Sequence, residues 1–115
     1  MWIFLNDSFL SIVASRDNSD ELIVRARRRG DIKRVFGKRV KEVTLPKADY
    51  AYRAALPRRV VIDAIVAKLQ AIDYPNFKNS VAEADRHDAY LDVWFEMVKF
   101  QNSLRAPPSS PDDPN

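Results

Sequence analysis

Basic side chains crowd one stretch of the chain: Arg25, Arg27, Arg28, Arg29, Lys33, Arg34, Lys38, Arg39 and Lys41. Guanidinium forks match the geometry of phosphates and carboxylates. Arg25, Arg27 and Arg29 alternate, so a strand here would put them on one face, with Arg28 opposite. Arg53, Arg58 and Arg59 could join them in space. Such a patch could neutralise several phosphates, each contact making binding more salt-dependent. Tyr50 and Tyr52 could add base stacking. Two other readings compete with this one. Charge on a sheet edge also prevents aggregation, and the patch could dock on the protein's own acidic helix or on a partner copy's. A net charge of +3 is a modest footprint for a dedicated nucleic-acid binder.

The acidic counterpart is Asp85, Asp88, Asp92 and Glu96, spaced for one helical face. An uninterrupted acidic row could mimic a phosphate backbone or meet a basic partner; otherwise it is a solvent face. As a metal site it is one-sided, with no second element to complete an oxygen shell. His87 is the single histidine, beside Asp85 and Asp88. A general base would also need a nucleophile or an electrophile stabiliser, and none accompanies it. Ser8, Ser11 and Ser15 lack a nucleophile-elbow context. Only Gly30 and Gly37 are glycines, which excludes a Gly-rich phosphate loop. The reading is therefore non-enzymatic, without cofactor or metal.

The elements that must carry these residues follow from periodicity. Residues 2–5, 9–15 and 21–29 read as strands, separated by polar turns. In the third, Leu22, Val24 and Ala26 alternate with Ile23, Arg25, Arg27 and Arg29. Asp31 is a cap for a short helix over 32–36, closed by Gly37. Residues 40–45 and 50–56 read as the fourth and fifth strands, the fifth with Tyr50, Tyr52, Ala54 and Leu56 on one face. Pro57 opens a helix with Val61, Ala64, Ile65, Lys68, Leu69 and Ile72 in phase, stopped by Tyr74-Pro75. Ser80 to Glu83 is a capping box for a last helix over about 81–104. Its apolar stripe is Tyr90, Leu91, Trp94, Met97, Val98 and Leu104, with Trp94 and Met97 assigned to the core. Phe95 or Phe100 is then left outward, marking an interface or a homodimer seam unless the sheet and first helix cover both sides. The expected fold is α+β. A mostly antiparallel sheet of about five strands carries the two C-terminal helices on one face, in an arrangement open to a ferredoxin-like variant.

The segments Trp2-Ile3-Phe4, Leu22-Ile23-Val24-Arg25-Ala26-Arg27, Asp49-Tyr50-Ala51-Tyr52-Arg53 and Ile72-Asp73-Tyr74-Pro75-Asn76-Phe77-Lys78 occur together, followed by His87, Tyr90, Trp94 and Met97. In this combination the chain resembles a family of small uncharacterised proteins of bacteria and their phages, from Met1 to about Gln101. The resemblance implies no site residue. It implies a kind of role, since small single-domain phage proteins often block host machinery.

Composition sets the outer limits. The 115 residues fit one domain, 1–105, with a disordered Pro/Ser/Asp tail at 106–115. Residues 1–60 hold 14 Lys/Arg against 7 Asp/Glu, and residues 61–115 hold 5 against 9, so the chain is electrically two-ended. No cysteine is present, and no apolar run approaches the roughly 20 residues of a membrane span. The hydrophobic start lacks the features of a secretory signal, so the expected compartment is the cytosol, a host's if phage-encoded. The function expected is recognition of a charged partner through Arg25, Arg27, Arg29, Lys33, Arg34, Lys38, Arg39 and Lys41, or through Asp85, Asp88, Asp92 and Glu96, or both. A protein or ribonucleoprotein partner is favoured. Direct nucleic-acid binding is the alternative, and a His87-dependent enzyme a third reading. Whether a ligand sits near Tyr74–Asn79 stays open.

Overall fold

Alternating apolar side chains build the sheet. β1 (Trp2–Leu5) and β2 (Ser8–Ala14) form a hairpin around Asn6-Asp7, and β3 (Glu21–Ala26) follows a polar loop. Next come α1 (Asp31–Phe36), β4 (Val43–Thr44) and β5 (Tyr52–Pro57). Then α2 (Arg58–Gln70), a 3-10 turn (Lys78–Ser80) and α3 (Ala84–Leu104). The computed structural model describes residues 1–105, so the expected disordered tail lies outside the described residues.

The fold is α+β, with one five-stranded sheet ordered β1-β2-β3-β5-β4. Every neighbouring pair is antiparallel. A ferredoxin-like variant needs a parallel crossover; no described pair supplies one, so that topology is absent. Leu10 and Ile12 of β2, Val24 and Ala26 of β3, and Ala54 and Leu56 of β5 share one face, which packs on Ile32 of α1 and Val61 of α2. Leu10, Val24 and Ile32 are completely buried, each worth roughly 1.5–3 kcal/mol over the exposed state.

Several local expectations shift for identifiable reasons. β3 ends at Ala26, because Arg28 turns the chain and its carbonyl accepts the Asp31 N–H. β4 shrinks to two residues, paired only with β5 at the sheet edge. α2 stops at Gln70, four residues before Tyr74-Pro75, as the Ile72 N–H bonds back to the Leu69 carbonyl. The Ser80 hydroxyl closes its own 3-10 turn on the Phe77 carbonyl, so α3 begins at Ala84 without a capping box. Asp31 is not a cap. Gly30 holds that position at φ 96°, a conformation only glycine adopts readily, and Asp31 lies inside α1.

Freed from capping, Asp31 joins α3 to the body. Its carboxylate accepts two hydrogen bonds from Arg86, Nη2 to Oδ1 at 2.8 Å and Nη1 to Oδ2 at 3.1 Å. It also accepts from the Phe9 N–H at 3.0 Å and from Arg34 at 3.1 Å. Arg86 donates further to Tyr90 and Glu83, and the Tyr90 hydroxyl donates to the Leu5 carbonyl. Both charges of the pair are buried, with side chains 2% and 5% exposed. Burial pushes the Arg86 pKa down, but Asp31, Tyr90 and Glu83 together hold it above its ordinary value. Tyr90 also packs edge-on against Phe4 and flat against Phe77. The Tyr74–Asn79 stretch is thus a wedge under α3, with Lys78 lying over Trp94.

Beyond Leu91 the helix leaves the body. Every residue from Asp92 to Leu104 is exposed except half-buried Val98. Trp94 and Met97 are 43% and 56% exposed and do not belong to the core. Phe95 and Phe100 both face outward. On α2 the predicted stripe narrows to buried Val61 with half-buried Ala64, Ile65 and Lys68, while Leu69 and Ile72 are exposed.

Replacing Arg86 with Met strands a buried carboxylate. It should cost about 3–5 kcal/mol, measured as a drop in the urea midpoint. In Asp31→Leu with Arg86→Leu the combined loss should be smaller than the two single losses together.

Exposed ion pairs surround this junction. Arg28 contacts both Asp85 and Glu83. The Arg28 hydrogen bond lowers the Asp85 pKa, and the Arg86 hydrogen bond lowers that of Glu83. A carboxyl depressed in the folded state stabilises above its unfolded pKa, about 4, and the benefit disappears as pH falls through the folded value. Urea midpoints should therefore fall as the medium is acidified below that range. Arg28→Ala should flatten the decline.

Candidate partner-binding site

Beyond the Phe4–Phe9 end, where Tyr90 of α3 packs on Phe4, the second face of the sheet has no helix over it among the described residues. Register aligns Trp2, Ser11, Arg25, Arg53 and Val43 in one row across all five strands. Val13, Ile23 and Ala55 form the adjacent row. Arg25 and Arg53 are therefore directly opposite on neighbouring strands, an arrangement that costs energy unless something offsets it. Arg25 donates to the Ser11 hydroxyl at 2.6 Å, and its guanidinium lies 4.5 Å from the centre of the Tyr50 ring. Its Nε is buried without a hydrogen-bond partner. Arg53 makes one long hydrogen bond, 3.5 Å to the Tyr50 carbonyl. Among the described residues neither arginine is within ion-pair distance of a carboxylate. They stand in a hollow of about 610 Å³ with Val13, Ile23, Val43 and Ala55, rimmed by Ser15, Arg16 and Asp17.

The basic cluster of the sequence divides. Arg27 binds Asp49 at 2.9 Å and lies over Tyr50, and its bond to Asp49 raises its pKa. Arg29 does not continue the Arg25 face, because β3 has already ended; its guanidinium lies 5.4 Å from the Tyr52 ring. Arg34 is held by Asp31 and by the Asp7 carbonyl. Lys33 is half-buried on α1. Lys38, Arg39 and Lys41 stand exposed on the α1–β4 connection, without ion-pair partners among the described residues. Tyr50 is 4% exposed beneath Arg25 and Arg27, so it cannot stack on a base. Tyr52 is half-buried.

The acidic row is interrupted in the same way. Asp85 is bound to Arg28, and Glu96 to Lys99 at 3.0 Å. Asp88 has only His87 near it, Nδ1 at 3.7 Å, and Asp92 has no ion-pair partner among the described residues. That His87 separation is beyond hydrogen-bond distance, and among the described residues no serine, threonine or tyrosine hydroxyl is bonded to the ring. Among the described residues no three His, Asp or Glu side chains gather where one ion could bind them.

The sequence named Arg53 only as a residue that could join the basic patch in space, and it did not point to Arg86 at all. Arg53 has the period-2 spacing of an outward residue, but only strand pairing sets it against Arg25. Arg86 gave no local sign, its partner being 55 residues away. Compared with known proteins, the chain matches no family model, no curated protein and no solved structure.

Proposed function

We propose that this protein is a non-enzymatic interaction module that recognises an acidic protein surface across the open face of its sheet. The observation that carries the reading is the facing pair Arg25 and Arg53, without a carboxylate counterion among the described residues, in a hollow lined by Val13, Ile23, Val43 and Ala55. Two guanidinium groups facing each other across neighbouring strands suit a carboxylate, and Val13, Ile23 and Val43 suit the apolar side chains beside it. A phosphodiester strand would meet less here, because the tyrosine that could stack is covered. The resemblance to phage proteins supports one form of this role: steric block of a host nucleic-acid-handling complex, as anti-CRISPR proteins do, in the host cytosol.

A second reading rests on Lys38, Arg39 and Lys41. Three exposed cations on one connection, without ion-pair partners among the described residues, favour direct contact with nucleic acid, alone or within a ribonucleoprotein partner.

The test is an array of peptides combining Asp or Glu with aliphatic residues, followed by fluorescence polarisation on retained sequences. Arg53→Ala should keep the fold, since its side chain makes one weak bond. It should weaken binding by about tenfold or more, the worth of a charged hydrogen bond. An array that retains nothing, or equal binding by the variant, overturns the reading. Salt-sensitive RNA binding abolished by the triple alanine change at Lys38, Arg39 and Lys41 would establish the second reading.

A further inference from the structure

The stripe of α3 that docks on the body continues past it. Arg86, Tyr90, Val93, Met97, Phe100 and Leu104 are spaced alternately four and three residues apart, the repeat of a coiled-coil seam. The first two are buried, at 5% and 7% exposure. The next four are 39%, 56%, 55% and 71% exposed. The same stripe is thus satisfied within the chain at one end and uncovered at the other. Beside it, Trp2 is 65% exposed and lines with Val93, Phe95 and Met97 a groove of about 770 Å³, whose walls also carry Asp92 and the Glu96–Lys99 pair.

We propose that a second copy of this chain covers the seam, in a two-fold dimer built on α3. Three observations select a second copy over another occupant. The patch is both ridge and groove, and a two-fold axis puts each ridge into the other's groove. Its area is sufficient. Aromatic side chains offer about 150–250 Å² each, and roughly half of that, summed over Trp2, Trp94 and Phe100 with the exposed aliphatic positions Val93, Met97 and Leu104, approaches the roughly 800 Å² each partner gives to a stable interface. Its charge is also suitable. Asp88 and Asp92 fall off the seam. Of the flanking positions only Glu96 is charged, and Lys99 already neutralises it within the helix. A two-fold interface sets like against like, so a seam with little unpaired charge favours self-association over docking on a basic partner.

This inference is independent of the anion-binding reading, and Arg53→Ala should leave the mass unchanged. Light scattering on the full chain should give twice the 13.2 kDa chain mass at micromolar concentration. Met97→Glu with Phe100→Glu should return it to the single-chain mass with the same far-UV circular dichroism. The chain contains no cysteine, so single substitutions report contacts without interference. Among Val93→Cys, Met97→Cys, Phe100→Cys and Leu104→Cys, at least one should form a disulfide-linked dimer on mild oxidation, and the exposed control Asp73→Cys should not. A wild-type chain that remains single at 100 µM overturns the proposal and leaves the seam to another protein. Equal cross-linking at Asp73 and at the seam overturns it as well.

Discussion

Asp31 and Arg86 connect three parts of the molecule that share no sequence neighbourhood. Asp31 begins α1, accepts the Phe9 N–H of β2, and receives both terminal nitrogens of Arg86 from α3. A buried pair of this kind contributes little net stability compared with apolar side chains of equal volume. What it contributes is direction. A leucine contact could slide along α3, whereas two parallel hydrogen bonds with Tyr90 anchored to the Leu5 carbonyl fix both position and angle. Because the anchor occupies only the first two turns, the rest of α3 is held from one end and, beyond the Lys78–Trp94 contact and Trp2 beside Val93, is largely exposed.

The two faces of the sheet show how one alternation serves two purposes. Even-numbered residues of β2, β3 and β5 fill the core against α1 and α2. Odd-numbered residues of the same strands form the open face, where Arg25 and Arg53 are set against each other. Their repulsion is moderated without neutralising it. The Ser11 hydroxyl and the Tyr50 carbonyl accept hydrogen bonds, and the Tyr50 ring presents its negative face to Arg25. Places where local charge preference is violated are where function is expected.

The strands and their core face were legible because period-2 alternation is local: Leu22, Val24 and Ala26 go inside as the pattern requires. The long helices were legible for the same reason, from apolar spacing and Pro57. What failed depends on pairing at a distance. An Asp before a short apolar run has the same sequence signature whether it caps the helix or crosses to Arg86. Ser80 to Glu83 fits a capping box, yet Glu83 is drawn to Arg86 and Arg28 instead. The α3 stripe was visible in part, through Tyr90, Met97 and Leu104 but not Val93, and a stripe does not say what covers it. For Tyr90 the answer lies within the chain, and for Met97 it does not.

The electrical asymmetry of the chain is partly consumed by folding. Arg28, Arg34 and Arg86 bring basic charge to Asp31, Glu83 and Asp85, so basic front and acidic helix meet at the junction between them. Arg27 is taken by Asp49. Among the described residues, basic charge without an ion-pair partner gathers in the Arg25–Arg53 hollow and on the 38–41 connection, with single cations such as Arg16 and Lys47 scattered elsewhere, and the apolar surplus lies mainly on α3, with a smaller share along α2. A surface scattered with single exposed residues would need no explanation. Here the two gatherings of basic charge and the main unmatched apolar area lie apart from one another. Two distinct contacts account for that separation more simply than one: a carboxylate for the hollow, and an apolar helix for the seam.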